Sequence, residues 1–480
     1  MRKTMGLLVL LGLPVIAGAQ DDPLVGAIVL PRTPEVELQT VDGAVVAVWQ
    51  PSPARVTEVK AGRVCVVNIY SPALGSTWTR RDEVVKLADA VAHFNGYIRA
   101  NPDDAGGYDL RGVAYYELRD SAKAIPDLTE AIRIEATADR HILRGNCYSV
   151  LGEHGKSITD YSAALRLKPN DYVALVNRGR ARSLSGDHDK AEADLNKAIR
   201  LRPADAVGFN ERGMMWDKRG EFDRAVADFT EAIRLNKTFP DPFANRGYTE
   251  MGRRNYAAAV EDYTRAIRLA PTNGNFRYHR GFAYANLRDN DMALFDFNEA
   301  IKLNPSDSRP FFSRADIRRQ QREYDQAISD FTESIRLAPK YADAFARRGS
   351  TWDAIGEFGK AIADFEEAIR LAPEVQYPYD ALGWLRATCP SAKHRDGKKA
   401  LALAKKVCEM SAGKVADHLD TLAAAHAELG DFDNAIAAEK RALAVPGVGE
   451  VAINEYRQRL KLYEDERPFR QPPRPKRAID

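Results

Sequence analysis

FNERGMMWDKRGEFDRAVADFTEAIRLNK, Phe209 to Lys237, is the stretch whose reading decides the fold. It places two apolar-periodic runs on either side of Gly220, a residue suited to reversing a chain between helices. The same frame recurs along most of the sequence. Arg-Gly, or Arg-Ala once, stands at Arg111, Arg144, Arg178, Arg212, Arg246, Arg280, Arg314 and Arg348, with a first step of 33 residues and steps of 34 thereafter. A period of that length with this content predicts stacked helical hairpins, since one hairpin cannot bury its apolar stripe alone.

With Arg212 set at position 7, the other positions of the frame have physical reasons. A small Gly at position 8 of the first helix and a small Ala at position 20 of the second let two backbones approach, as at Gly213 and Ala225. Aromatics fill position 24, as at Phe229, Tyr263 and Phe331. Gly152, Gly186, Gly220, Gly356 and Gly430 share position 15, where the chain must turn. Pro203, Pro271, Pro305, Pro339 and Pro373 at position 32 end the second helix and push their predecessors out of the helical region.

A second regularity is electrostatic. Each position-7 Arg is followed sixteen residues later by Asp, at Asp127, Asp160, Asp194, Asp228, Asp262, Asp296, Asp330 and Asp364. The two positions are symmetric about the turn, so antiparallel helices bring them to one height. In the last two repeats both charges vanish together, giving Leu382 with Leu403 and Leu422 with Ala438. The joint loss predicts contact: a ladder of partly buried, bidentate Arg–Asp pairs.

The iterated frame resembles the tetratricopeptide repeat. That resemblance implies an α-solenoid of about ten hairpins over residues 105–443. It also implies peptide binding on a concave face lined by positions 2, 5, 9 and 12 of each first helix. Position 5 reads Asp109, Ile142, Val176, Asn210, Ala244, Tyr278, Phe312 and Ala346 through the first eight repeats, with no Lys or Arg to clamp a terminal carboxylate. The face instead offers Tyr248, Tyr278, Phe282 and Phe312, with Asn210 and Arg319 at the margins. Aromatics serve binding faces and inter-repeat cores alike, and the sequence leaves both uses open.

Toward the end, TCPSAKHRDGKKALALAKKVCE, Thr388 to Glu409, crowds Cys389, His394 and Asp396 together. In the frame, Pro390 falls at the turn and Ala400 takes position 20 five residues late, so the three belong to an enlarged loop, Cys389–Gly397. They lack CxxC or HxxxH spacing, and no metal or cofactor is implied. Cys408 lies about eleven residues into the next helix, ~16 Å further along its axis, which is too far for a disulfide with Cys389. A Cys389–His394 enzyme is the remaining catalytic alternative. With DTLAAAHAELGDFDNAIAAEKRAL, Asp420 to Leu443, this ending resembles exported bacterial tetratricopeptide proteins that begin with an SH3-like domain. Ile453, Tyr456, Leu460 and Tyr463 then mark one apolar face of a capping helix at 447–464, with charges opposite. The basic, Pro-rich tail at 465–480, with Pro472 and Pro475 in PxxP spacing, is expected to be disordered.

The beginning has another period. Short apolar runs and turn residues, including Asp42-Gly43 and Ala61-Gly62, predict a small β domain of about five strands over 24–85. Its ending GSTWTRRDEVVKL resembles the last strand of a bacterial SH3-like barrel. A half-repeat helix at 86–103, with Ala90, Phe94 and Pro102 at positions 20, 24 and 32, is expected to weld it to the hairpins. Residues 1–19 hold Arg2, Lys3, an apolar run and Ala17-Gly18-Ala19, the pattern of a secretory signal cleaved after Ala19. Its removal takes the formal net charge from +2 to zero, which gives no electrostatic case for nucleic acid. No integral membrane span is expected after cleavage, and export would place the chain in the periplasm or outside the cell. The fold is therefore read as mainly α, a tetratricopeptide solenoid preceded by a small all-β SH3-like barrel. The function read from it is a non-enzymatic scaffold for a protein or peptide partner. The alternative is a cell-envelope binder whose SH3-like domain holds wall polymer or peptide while the repeats recruit a second protein.

Overall fold

The computed structural model describes residues 24, 27–34, 36–39, 45–48, 52–60, 63–68 and 77–472. The signal at 1–19, both expected β turns and the last eight residues of the tail lie outside them. The chain divides into two compact units, Met1–Thr249 and Glu250–Asp480.

The first unit begins with an antiparallel sheet of seven strands: β1 (Ile28–Pro31), β2 (Glu37–Gln39), β3 (Val45–Val48), β4 (Ala54–Lys60), β5 (Arg63–Asn68), β6 (Thr77–Arg80) and β7 (Val84–Lys86). Their order is β3-β2-β6-β5-β4-β1-β7. The sequence suggested about five strands, and β2 and β7, at three residues each, are too short for alternation to announce them. Val29, Val36, Ala54, Val56, Val66 and Val84 form the sheet's core. Helix Leu87–Ala100 follows directly on β7. Its Ala90 and Phe94 pack with Leu30 and Val85 of the sheet on one side and Leu110, Val113 and Ala114 of the first hairpin on the other. One apolar cluster thus joins sheet to hairpins.

Four hairpins follow in this unit, before helix Pro240–Gly252: Ala105–Glu117 with Ser121–Ile134, Ala138–Val150 with His154–Leu167, Tyr172–Leu184 with His188–Leu201, and Ala206–Arg219 with Phe222–Leu235. Helix A below means the first helix of a hairpin and helix B the second. The small residues act where the frame places them. A Cβ added to Gly213 would meet the Phe229 ring at 2.7 Å, so the position-8 glycine is what lets the position-24 aromatic lie against helix A. Ala124, Ala191 and Ala225 at position 20 have no exposed surface.

The second unit continues the pattern from helix Tyr256–Leu269 through hairpins Gly274–Asn286 with Asn290–Leu303, Ser308–Gln320 with Tyr324–Leu337, Ala342–Ala354 with Phe358–Leu371, Gln376–Thr388 with Gly397–Met410, and Ala416–Glu428 with Phe432–Leu443. Helix Glu450–Glu464 closes it. Its buried residues are Tyr456, Arg459 and Tyr463, while Ile453 and Leu460 are half-buried. Arg459 therefore lies on the inward face, not with the charges on the opposite face as expected. The carboxylate of Asp420, 2.7 Å from its Nε, draws it in, with the Glu439 carboxyl 3.9 Å away.

The Arg–Asp pairs are bidentate. In the first unit Arg111, Arg144, Arg178 and Arg212 donate Nε and Nη2 to the two oxygens of Asp127, Asp160, Asp194 and Asp228 at 2.6–2.8 Å. In the second, Arg280, Arg314 and Arg348 do the same to Asp296, Asp330 and Asp364 at 2.6–2.8 Å. These arginine side chains are 11–23% exposed and their partners 0–10%. Leu382 and Leu403, which replace one pair, instead join an apolar cluster with Phe365 and Leu385.

The turns hold a feature that the glycine pattern concealed. Gly220 has φ of 85°, and in the first eight repeats, where position 15 is not glycine, it is arginine in the same left-handed region: Arg119, Arg254, Arg288 and Arg322 at 62–65°. An L-residue held there costs roughly 1–2 kcal/mol, partly offset by the extra freedom glycine has when unfolded. Arg322→Gly should therefore raise stability by ~0.5–1 kcal/mol and Arg322→Val should lower it, both read from urea unfolding midpoints.

Candidate functional site

The aromatic residues singled out on the helix-A faces fall in both units. In the second unit, Tyr278 is half-buried, with its ring 6.0 Å from Phe297 of helix B and the Arg309 guanidinium 4.8 Å above its centroid. Arg309 comes from the next helix A, where Asp307 pairs with it (Nε to Oδ1, 2.9 Å) and Asn275 accepts from its Nη2 at 2.5 Å. Phe312 packs on Ala315, Ala327 and Phe331 while its ring meets Tyr341 at 4.8 Å. Tyr278 and Phe312 thus pack partly into the inter-helix core, with Arg309 and Tyr341 against their rings. Phe282 is different: it is 42% exposed. Arg319 donates Nε and Nη2 to Asp316 Oδ1 at 3.3 and 3.1 Å, one helical turn earlier.

Two members of this strip were not singled out from the sequence. Tyr341 precedes helix Ala342–Ala354 by one residue, outside the frame positions of helix A, and burial raises its phenol above the usual range. Arg309 holds position 2, a position the family frame does include. The strip therefore alternates rings with guanidiniums that are already partnered by Asp307 and Asp316.

In the first unit, Asn210 is only 3% exposed. Its Oδ1 accepts from Asn245 at 2.9 Å and its Nδ2 lies 3.8 Å from Met214 Sδ, so its polar atoms serve neighbouring side chains. Tyr248 is 42% exposed. Nearby charge comes from Arg180, bidentate to the buried Glu211 at 2.7 and 2.5 Å. Its partner lies 31 residues on, the same separation by which Arg140 reaches back to the buried Asp109. Burial pushes the Asp109 carboxyl up to about 6 even against that arginine.

The residues of the enlarged loop each have a structural setting. Cys389 closes helix Gln376–Thr388 and is fully buried, which pushes its thiol above the ordinary range and keeps it protonated. His394 lies in a short 3-10 turn against Phe358, and burial lowers its imidazole. Asp396 caps helix Gly397–Met410 by accepting from the Lys399 amide at 3.0 Å. Cys408 is a free thiol 3.2 Å from the His418 carbonyl. Among the described residues no group of His, Cys, Asp or Glu is placed to hold a metal ion, and no helix is long and apolar enough to cross a membrane.

Carboxylates gather where the array ends. Asp380 accepts from the Thr421 hydroxyl at 2.7 Å, and burial pushes it up to about 7. Asp417 accepts from Tyr456 at 2.5 Å, and Asp420 from Arg459 at 2.7 Å. Glu439 is fully buried beside Asp420 and Arg459.

Tetratricopeptide-repeat models match residues 105–137, 138–171 and 172–205, and also 244–308 and 312–375. The chain carries these repeats in both units. No curated relative was found. Among solved structures, the chain is similar to YrrB, described as a TPR protein with an unusual peptide-binding site, at 24% identity over 39% of this chain and 96% of that one, TM-score 0.34. It is similar to pilF of Pseudomonas aeruginosa at 16% identity over 44% and 96% respectively, TM-score 0.41. For yeast Tom70 the identity is 16%, over 79% and 92%, TM-score 0.38.

Burial, then the neighbouring Asp420 carboxylate, pushes Glu439 up to about 9 from an ordinary 4.5. A carboxyl raised on folding favours the folded state most fully below its unfolded pKa, and that contribution is lost as pH rises toward the folded value. Glu439→Gln keeps the shape without the charge. It should raise the melting temperature, with a larger gain at pH 8 than at pH 5.

Proposed function

We propose that this chain, which carries tetratricopeptide repeats, is a non-enzymatic scaffold that holds an extended peptide segment against its helix-A faces. The segment carries apolar or aromatic side chains, and its principal seat is the strip from Gly274 to Tyr341. The observation that carries this reading is Phe282, a large ring 42% exposed one helical turn after the half-buried Tyr278, with the half-buried Phe312 on the next helix A. Aromatics flanked by guanidiniums are the residue types that concentrate binding energy, at ~2 kcal/mol or more for a hot spot. The arginines of the strip are paired with Asp307 and Asp316, so the strip suits ring stacking better than capture of a bare carboxylate. Export to the periplasm or beyond is part of the proposal and rests on residues 1–19 alone.

The test is selection of linear peptides from a displayed library on the full chain, followed by titration of the winners against variants. Selected peptides should be enriched in Phe, Tyr or Trp. Phe282→Ala should weaken them about tenfold or more while changing stability by less than ~0.5 kcal/mol, as for an exposed site. Tyr278→Ala and Phe312→Ala should weaken binding too, but each should also lower the melting temperature because half of each ring is core. Winners without aromatics, or winners that bind Phe282→Ala as tightly as the parent, would defeat the reading.

A further inference from the structure

The tail beyond the capping helix does not trail away. Glu466, with φ of 51°, reverses the chain, and the Arg467 amide donates back to the Leu462 carbonyl at 2.8 Å. Residues 467–472 then cross the helix-A side of the last two hairpins without helix or strand. Pro468 and Pro472 suit such a course, since proline lacks the amide proton that regular structure needs. Composition had suggested disorder from 465 onward, but periodicity cannot register a few anchoring side chains.

Three kinds of contact hold the segment. The Phe469 ring lies 5.7 Å from Trp384, and the Arg459 guanidinium stands 5.4 Å from Phe469 and 5.3 Å from Trp384. Arg470 brings Nη2 within 2.5 Å of Glu428 Oε2. The Gln471 amide donates to the Thr388 carbonyl at 2.9 Å, at the open end of helix Gln376–Thr388. A ring pocket, a charge partner and a main-chain bond are together what a receptor uses to read an extended peptide.

The receptor side is built by other parts of the chain. Trp384 and Thr388 come from one helix A and Glu428 from the next. Glu428 is also aimed by Arg395, whose Nε lies 3.1 Å from its Oε1 and whose Nη1 donates to the Cys389 carbonyl at 2.8 Å. Arg395 belongs to the enlarged loop. The extra loop residues thus supply an arginine that orients the carboxylate receiving Arg470.

We propose that this face is a second peptide-binding site, shaped for an extended segment in which an aromatic residue precedes an arginine, and that the chain's own Phe469-Arg470 is its resident. A partner displaying the same pair in an extended segment competes with the resident for Trp384, Arg459 and Glu428. A tethered resident has an effective concentration of about a millimolar, so one whose own affinity is about ten micromolar weakens a competitor by roughly a hundredfold.

A fluorescent peptide of sequence ERPFRQP, matching 466–472, provides the test. It should bind the full chain weakly and bind the full-length variant Phe469→Ala/Arg470→Ala at least tenfold tighter. Adding Glu428→Gln to that variant should remove most of the gain. If the double variant melts early, Arg470→Ala alone keeps the ring packed and should still show a smaller gain. No gain in either variant, binding indifferent to Glu428→Gln, or a parent chain that runs as a dimer exchanging tails would overturn the proposal.

Discussion

A guanidinium shared three ways is the interaction on which the array depends. Seven position-7 arginines, four in the first unit and three in the second, use Nε and Nη2 on the Asp of their own helix B. The remaining nitrogen, Nη1, reaches the helix that precedes the hairpin. Arg111 donates to Asn95, Arg144 to Thr129, Arg178 to Ser162 and Arg212 to Asn196, at 2.6–3.1 Å. In the second unit Arg280 donates to Thr264 and Arg348 to Thr332, both at 3.0 Å, and Arg314 to Asn298. One side chain therefore fixes the height of two helices within a hairpin and the register of that hairpin on its predecessor. Desolvation offsets much of the attraction, so the net gain per pair is modest. The stake lies in loss of one partner, which strands a mostly buried charge.

The end of the array shows the alternative solution. Leu382 packs with Leu403 in place of an ion pair, and Leu422 packs in a cluster with Ala438. Position 25 changes in step: the residue that would accept from position 382 is Glu366, and it pairs with Arg386 instead, at 3.2 Å. Replacing the shared guanidinium releases its acceptor in the preceding hairpin for other use. Beyond this point the capping helix and the tail rely on a different arginine, Arg459, enclosed by the rings of Trp384, Tyr456 and Phe469 at 5.3–5.4 Å.

What was legible in the sequence was whatever the repeat copied. The Arg–Asp pair stood out because the two residue types recur and disappear together. Its third partner did not, because Asn, Thr and Ser share a hydrogen-bonding role but no letter, although position 25 is never apolar where the arginine is present. The left-handed arginines at position 15 were hidden behind the glycines that share their conformation. Contacts made once were not legible at all. Arg459 looked like one more surface charge, because Asp420 and Glu439 lie on other helices and at no repeated spacing. The face aromatics were half legible: frame positions put Tyr278 and Phe312 on helix A, but how far each ring sinks toward Phe297 or Phe331 depends on packing between helices.

A double-mutant cycle on Arg280 and Asp296 tests the central claim most directly, since Asp296 is the most buried acid of the described pairs, at 0% exposure. Each single change to Leu leaves a stranded partner and should cost about 3 kcal/mol in urea unfolding. The double change copies the natural Leu382–Leu403 solution and should cost about 1 kcal/mol, giving a large favourable coupling. A double variant whose loss equals the sum of the two singles would contradict the account, because the pair would then be two independent residues and not one lock.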